Sequence, residues 1–294
     1  MLKLGIDLGG TKIEGAAVRE DGSVCFRKRI PTEQDRGYAH VLDRIVAMHG
    51  MLMDQAGDES TTFGIGTPGA LSLKTGRLKN SNTQCLLDQP IREDLEKRLG
   101  RPVAIQNDAN CFAMAEALYG AGRGKDVVFG VIMGTGCGGG IVVNGHVLTG
   151  LQAIAGEWGH MSIDPAGPPC YCGMRGCVET LISGGGLEQR YRERFGTKKA
   201  LPRIVEAYRN NDADAQAFMQ TFFAHFGRAM ANLITILDPD CVVLGGGVSN
   251  IDELYTSGVD RVRRYAVHQH VETPILKNRL GDSAGVYGAA WIGR

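Results

Sequence analysis

The chain has 294 residues, of which 43% are hydrophobic, enough for about two domains at roughly 150 residues each. Its 32 basic and 32 acidic side chains balance, so no field of one sign exists to draw in nucleic acid or an anionic membrane surface. Asp7 and two glycines interrupt the start where an export signal needs an unbroken apolar run, and later apolar runs end well short of the roughly 20 residues of a membrane span. The expected setting is therefore the cytoplasm, with no membrane or nucleic-acid partner, and the eight cysteines read as reduced thiols or metal ligands rather than a disulfide framework.

In chain order, residues 2–7 form a buried strand, Gly9-Gly10-Thr11 a tight turn and residues 13–18 a returning strand, a hairpin rather than a strand-to-helix unit. A third strand at 24–30 follows Asp21-Gly22. Val41, Leu42, Ile45, Val46, Met48, Leu52 and Met53 recur at helical spacing over 38–56. Strand 62–66 ends at Pro68-Gly69, an amphipathic helix covers 91–99, and a short strand at 103–106 runs into Asn107-Asp108. Residues 109–119 are helical, closed by Gly120.

The opening pattern then returns: strand 127–133, a glycine turn at Gly134-Thr135-Gly136, and strand 141–143. A long helix over 213–237 carries Phe218, Phe222, Phe226, Met230 and Leu233 on one stripe, ended by Pro239. The buried strand 241–244 leads into Gly245-Gly246-Gly247, with Ser249 a candidate cap for the next element. A small apolar helix at 283–292 is expected to cross back onto the first half. Two related halves of mixed α/β structure predict two lobes across a cleft: residues 1–117 with 283–294, and residues 118–282.

Glycine, 42 of the 294 residues, clusters at the ends of apolar runs. Asp7-Leu8-Gly9-Gly10-Thr11-Lys12 leaves backbone N–H groups able to face an anion; it is not a Walker loop, which needs Gly-Lys-Ser/Thr opening a helix. Gly134-Thr135-Gly136-Cys137-Gly138-Gly139 fits the letters of a dinucleotide fingerprint, but strand follows it rather than helix, so a second phosphate-facing hairpin is the better reading. Gly245-Gly246-Gly247 suits a nucleotide base or ribose. Asp108 at a strand-to-helix junction reads as an N-cap, a role compatible with that of a base taking the proton of an attacking hydroxyl.

Cys170-x-Cys172-x(4)-Cys177, with His160 ten residues upstream, matches a closed Cys₃His zinc site. Glu157, His160 and Glu179 bracket it and are candidates for hydrogen bonds to sugar hydroxyls. Cys25, Cys85, Cys111 and Cys241 read as core or near-core residues, Cys137 as exposed in its turn.

These motifs, with Gly66-Thr67-Pro68-Gly69, Asn107-Asp108-Ala109-Asn110, Gly156-Glu157-Trp158-Gly159-His160 and Asp238-Pro239-Asp240, resemble the bacterial ROK sugar kinases over essentially the whole chain. The resemblance implies a two-lobed actin/hexokinase-like (ribonuclease H-like) α/β fold with a zinc loop at 160–177. It implies Asp108 as catalytic base, with Gly69, Asn82, Asn107, Glu157, His160 and Glu179 at the sugar. ATP and Mg²⁺ fall to Asp7, Gly9, Gly10, Thr11 and Lys12, to Gly134, Thr135, Gly136 and Gly138, and to Gly245, Gly246 and Gly247. Structural zinc falls to His160, Cys170, Cys172 and Cys177. A homodimer is expected.

The text Asn80-Ser81-Asn82 and Cys170-Tyr171-Cys172-Gly173 looks most like the fructokinase or mannokinase branch, so D-fructose is the expected acceptor; N-acetylglucosamine kinase, glucokinase and mannokinase are the alternatives. Many relatives carry Trp near Cys85, which bears on the sugar pocket. Rival readings are a sugar-responsive regulator without turnover and a nicotinamide dehydrogenase built on Gly134 to Gly139.

Overall fold

A computed structural model describes residues 1–81, 83–268 and 270–293. The chain runs β1 (Leu2–Leu8), β2 (Lys12–Arg19), β3 (Val24–Pro31), α1 (Tyr38–Ala56), β4 (Thr61–Thr67), β5 (Ala70–Leu71), β6 (Leu78–Lys79), α2 (Ile91–Leu99), β7 (Ala104–Asn107) and α3 (Asp108–Tyr119). It continues through β8 (Val127–Met133), β9 (Cys137–Val143), β10 (His146–Val147), α4 (Val178–Ile182), α5 (Gly184–Phe195), α6 (Leu201–Arg209), α7 (Ala213–Leu237), β11 (Cys241–Gly245), α8 (Ser257–Tyr265), β12 (Ile275–Lys277) and α9 (Ala284–Ile292).

Two compact units result: residues 1–124, 140–155 and 279–294, and residues 125–139 and 156–278. Relative to the division expected from sequence, residues 118–124, 140–155 and 279–282 lie with the first unit.

The first unit is built on a sheet of order β3-β2-β1-β4-β7. β1 and β2 form the antiparallel hairpin, pairing Asp7 with Glu14 and Leu8 with Ile13, while β4 runs parallel to β1 and β7 parallel to β4. α1 buries Val41, Leu42, Ile45, Met48 and Leu52, the side that its apolar spacing marks for the core. α9 packs on β1 and β4 where those strands carry glycine. A Cβ on Gly5 would lie 2.5 Å from the Ala290 nitrogen, and one on Gly64 2.8 Å from Ile292 Cγ1.

The second sheet has the order β10-β9-β8-β11-β12, with β11 parallel to both β8 and β12. α7 buries Phe218, Phe222, Phe226, Met230 and Leu233. Asp212 caps it by accepting from the Ala215 N–H at 2.9 Å, and Asp238 ends it in the left-handed region at φ 44°. Gly227 admits α8, since a Cβ there would lie 2.5 Å from Arg261 Cβ.

Cys25, expected near the core, is exposed on β3, most of whose residues face solvent. Cys137, expected to be exposed, is buried, because the turn closes by Gly136 and residue 137 already belongs to β9. Among the described residues no helix is long and apolar enough to cross a membrane.

His49 in α1 is 8% exposed and meets Phe63 edge to face at 4.7 Å between ring centroids. Burial first, then Arg101, lowers its pKa from 6.5 to about 4. Between those values the unfolded chain binds a proton that the folded chain refuses, so stability falls as pH is lowered from 6.5 toward 4. His225 in the second unit, likewise lowered to about 4 by burial, adds to the same slope. Urea midpoints measured across this window should flatten in part, not wholly, in His49→Leu; an unchanged slope would remove His49 as a source.

Candidate active site and metal centre

The candidate residues divide between the two units. In the first, the hairpin turn at Gly9-Gly10-Thr11 is closed by the Gly9 N–H donating to the Lys12 carbonyl at 2.9 Å. Thr32 braces it: its N–H donates to the Thr11 carbonyl at 3.0 Å and its hydroxyl to the Gly9 carbonyl at 2.7 Å. Asp7 stands just before this turn with Gly285 beside it, where a Cβ would come within 2.9 Å of Asp7 Oδ2.

Burial raises the Asp7 pKa to about 7, and the like charges of Asp108 and Glu14 add to the effect; Lys12 and Arg29 oppose it. Glu14 is held by Arg29 at 2.8 Å and by the Ser283 hydroxyl at 2.8 Å. Burial, with like charge nearby, thus holds the Asp7 carboxyl against ionisation, while Glu14 is balanced by its arginine.

The cap of α3 is Asn107, not Asp108: Asn107 Oδ1 accepts from the Asn110 N–H at 2.8 Å. Asp108 is the first helical residue and is exposed. Its Oδ1 accepts from the Ala109 N–H at 2.8 Å. Asn107 is buried, and below it Gln106 joins Asn110 to Thr149 through bonds of 3.0 and 2.9 Å. Asn107 thus supplies the cap, and Asp108 adds a second acceptor in the first turn.

Gly69 follows β4 at φ 110°, where a Cβ would meet the Lys79 carbonyl at 2.5 Å; only glycine fits such a turn. Asn82 lies outside the described residues.

In the second unit the β8–β9 turn is confined to Gly134–Gly136. Gly138, expected in the turn, lies within β9, and its carbonyl accepts the Trp158 indole N–H at 3.0 Å. The extended strand places Gly139 against Trp158 and Phe129, where a Cβ would come within 2.6 and 2.8 Å. Trp158 thereby seats the short turn that carries Glu157 and His160. Gly245 ends β11, Gly246 has φ 77°, and Gly247 opens a 3₁₀ turn. Ser249, expected as a cap, instead lies inside that turn and donates back to the Gly246 carbonyl at 2.7 Å.

Glu179, in the first turn of α4, accepts from the Cys137 N–H at 3.0 Å, and Gly136 leaves room for it: a Cβ there would sit 2.5 Å from Glu179 Oε2. A residue expected at the sugar thus also fixes the glycine turn.

Sequence reasoning passed over Ser183-Gly184-Gly185-Gly186. Ser183 caps α5 by accepting from the Gly186 N–H at 3.0 Å, and the Gly184 N–H donates to the Gly134 carbonyl at 2.8 Å. The positive end of α5 therefore abuts the β8–β9 turn. The signal was legible as a fourth glycine cluster behind a serine cap.

Cys170, Cys172, Cys177 and His160 bring their ligand atoms within 4.8 Å of one another. Cys172 and Cys177 sulfurs are 3.6 Å apart, and His160 Nδ1 is 3.6 Å from the Cys170 sulfur. Tetrahedral zinc with Zn–S bonds of about 2.3 Å sets ligands about 3.7 Å apart, so the donor set fits. The loop is locally forced: the Gly176 N–H donates to the Pro168 carbonyl at 2.8 Å, and at φ 59° its Cβ would collide with the Asp164 backbone.

Nδ1 of His160 faces the thiols, while Nε2 meets the Tyr171 hydroxyl at 2.9 Å. Burial of the hydroxyl end, then the charges of Glu179, Cys170 and Glu157, push the Tyr171 phenol up to about 12.

Helices pack on two mixed five-stranded sheets, and the chain carries glycine turns, a carboxylate at a helix start and a Cys₃His loop: a hexokinase-like α/β fold. Residues 3–294 match the ROK family, to which the chain belongs. A protein named N-acetyl-D-glucosamine kinase from Photobacterium profundum is 36% identical over 298 residues, spanning 98% of each chain. The ROK hexokinase of Thermus thermophilus superposes with a TM-score of 0.91 at 33% identity, covering 100% of this chain and 98% of that one. A ROK family glucokinase from Streptomyces griseus, solved with glucose and AMPPNP, gives 0.81 at 29% identity, covering 100% and 99%.

Four protein ligands would close a zinc shell and leave no position for an activated water, the mark of a structural site. Metal analysis of the untagged protein should find one zinc per chain, and Cys172→Ser should lower both zinc content and melting temperature. Full thermal stability in a zinc-free variant would contradict a structural role.

Proposed function

We propose that the protein is an ATP-dependent hexose kinase whose acceptor is N-acetylglucosamine. The carrying observation is Asp108: an exposed carboxylate at the first position of α3, directly after the Asn107 cap. Membership of the ROK family and the name of the 36% identical relative over nearly its whole length support the reaction class and the acceptor.

In this reading Asp108 draws the proton from the attacking sugar hydroxyl as that oxygen bonds to the γ-phosphorus, and ADP leaves. The Ala109 N–H anchors one oxygen of the carboxylate, so the base is held in orientation rather than left to rotate. Glu157, His160 and Glu179 would bind the sugar hydroxyls. The turns at Gly9-Gly10-Thr11 and Gly134–Gly136 would offer N–H groups to the phosphates, the latter aided by the positive end of α5. Lys12 would add charge at the first turn, and Gly245 to Gly247 would face the nucleoside. Bound Mg²⁺, with Asp7 within reach of its shell, would offset the charge of the phosphates.

A second reading, D-fructose or a close hexose, rests on Asn80-Ser81-Asn82 and Cys170-Tyr171-Cys172 and on structural neighbours described as a hexokinase and a glucokinase. The fructose preference expected from those motifs gives way here because the N-acetylglucosamine kinase relative is the more similar in sequence.

A coupled assay over N-acetylglucosamine, fructose, mannose and glucose should give the highest kcat/KM for N-acetylglucosamine; a hexose better by about tenfold, a transition-state preference of ~1.4 kcal/mol, would overturn the acceptor but not the class. Asp108→Asn should lower kcat by about 100-fold or more with an unchanged melting temperature. Near-normal turnover in that variant would remove Asp108 from the mechanism, and no turnover by the wild type on any hexose would favour a regulator.

A further inference from the structure

Ligation through Nδ1 leaves the proton of a neutral His160 on Nε2. That N–H is the one donor the imidazole can turn outward, and it is already engaged: the Tyr171 hydroxyl lies 2.9 Å away. The two rings meet edge to face, 5.0 Å between centroids at 86°. The phenol therefore occupies the outward nitrogen of a side chain assigned above to the sugar.

Tyr171 is held there weakly. Its backbone sits between two zinc ligands, but the residue is 81% exposed. Gly173, just beyond, has open space around its Cα. A side chain this exposed gives up little packing when it rotates into solvent, and water replaces the hydrogen bond it loses.

We propose that Tyr171 is an internal stand-in for a sugar hydroxyl: it occupies the acceptor's place on His160 Nε2, and the acceptor binds by displacing it. The inference rests on the reading of His160 as a sugar contact. It makes Tyr171 a specificity-determining residue. A sugar that can accept from Nε2–H exchanges one hydrogen bond for another, whereas one that cannot displaces the phenol without compensation. The ring edge against the imidazole adds a small bias toward the closed position that every acceptor must overcome.

The test is calorimetric titration of the zinc-loaded wild type, Tyr171→Phe and Tyr171→Ala with N-acetylglucosamine, fructose and glucose, with ADP as control. Removing the hydroxyl should tighten the accepted sugar by roughly twofold to tenfold, the worth of one competing hydrogen bond. ADP affinity should not change. Weaker sugar binding in Tyr171→Phe would make the phenol a sugar contact, and unchanged affinity would show that it does not occupy the site; either result overturns the proposal. If Tyr171→Ala loses zinc, Tyr171→Phe decides alone, since it keeps the ring.

A second measurement uses wild-type protein labelled with 3-fluorotyrosine, in which saturating sugar should shift the ¹⁹F resonance that is missing from Tyr171→Phe. A resonance that does not move overturns the proposal. Phosphorylation without tightening would sink this inference and leave the kinase reading standing. Tightening without phosphorylation would do the reverse.

Discussion

Where β1 and β4 meet α9 there is no room for a methyl group. Cβ atoms on Gly5 or Gly64 would collide with the backbone of α9, and one on Gly288 would collide with the Cys111 backbone in α3. Contacts this close are dense in dispersion and intolerant of volume. They fix α9 against the sheet and against α3 at once. Gly285, at the start of α9, then borders the Asp7 carboxylate, and α3 begins with Asp108. The acids of the first unit owe their placement to positions where side chains are missing, and the same close packing buries Asp7, which is the first cause of its raised pKa, ahead of the charges of Asp108 and Glu14.

The second unit reaches comparable rigidity by different means. Its zinc-loop segment includes few large apolar residues, and Tyr171 and Met174 are exposed. A metal held by the three thiols and His160 would supply order that a core cannot supply at this size. One end of the loop carries His160, seated by Trp158 on β9; the other passes from Cys177 directly into α4, where Glu179 returns to the Cys137 N–H. The cysteine loop, Glu179 and the glycine turn are thus consecutive links. Disturbing the cysteines should reach the β8–β9 turn through Glu179, one hydrogen bond away.

Much of this was legible in sequence because the signals were local. α1, α2 and α7 begin and end where apolar periodicity places them, the hairpins follow their glycine turns, and the Cys₃His spacing closes on itself in space. What escaped turned on a single residue of register or on partners distant along the chain. Asp108 looks like the cap, yet Asn107, one residue earlier, has the extended backbone that a cap needs. Cys137 looks exposed because glycines surround it, but those glycines are strand residues kept small for Trp158, Ala109 and Ala113. Ser183 to Gly186 has no neighbour that the sequence can name; its purpose shows only when Gly184 meets Gly134.

Glu116 marks the limit of such reading most clearly. In sequence it is one glutamate in a helix rich in alanine, where the ordinary expectation is a solvated charge. In the fold it is fully buried. Its carboxylate accepts from the Ala121 N–H at 2.8 Å, from Arg279 at 3.1 Å and from Leu280 at 2.9 Å. Every partner is a backbone donor, so an acceptor-only group is required; glutamine would turn an N–H₂ toward N–H groups and leave one or more unpaired in the interior. Gly120 belongs to the same arrangement, because a Cβ there would strike Glu116 Oε2. The donors lie where the chain is about to leave the first unit after Gly124 and where it re-enters at Arg279. One buried carboxylate therefore gathers the chain's first exit from this unit and its last return to it, and sets the entry to α9, the helix whose glycine contacts hold Asp7 and α3 in place.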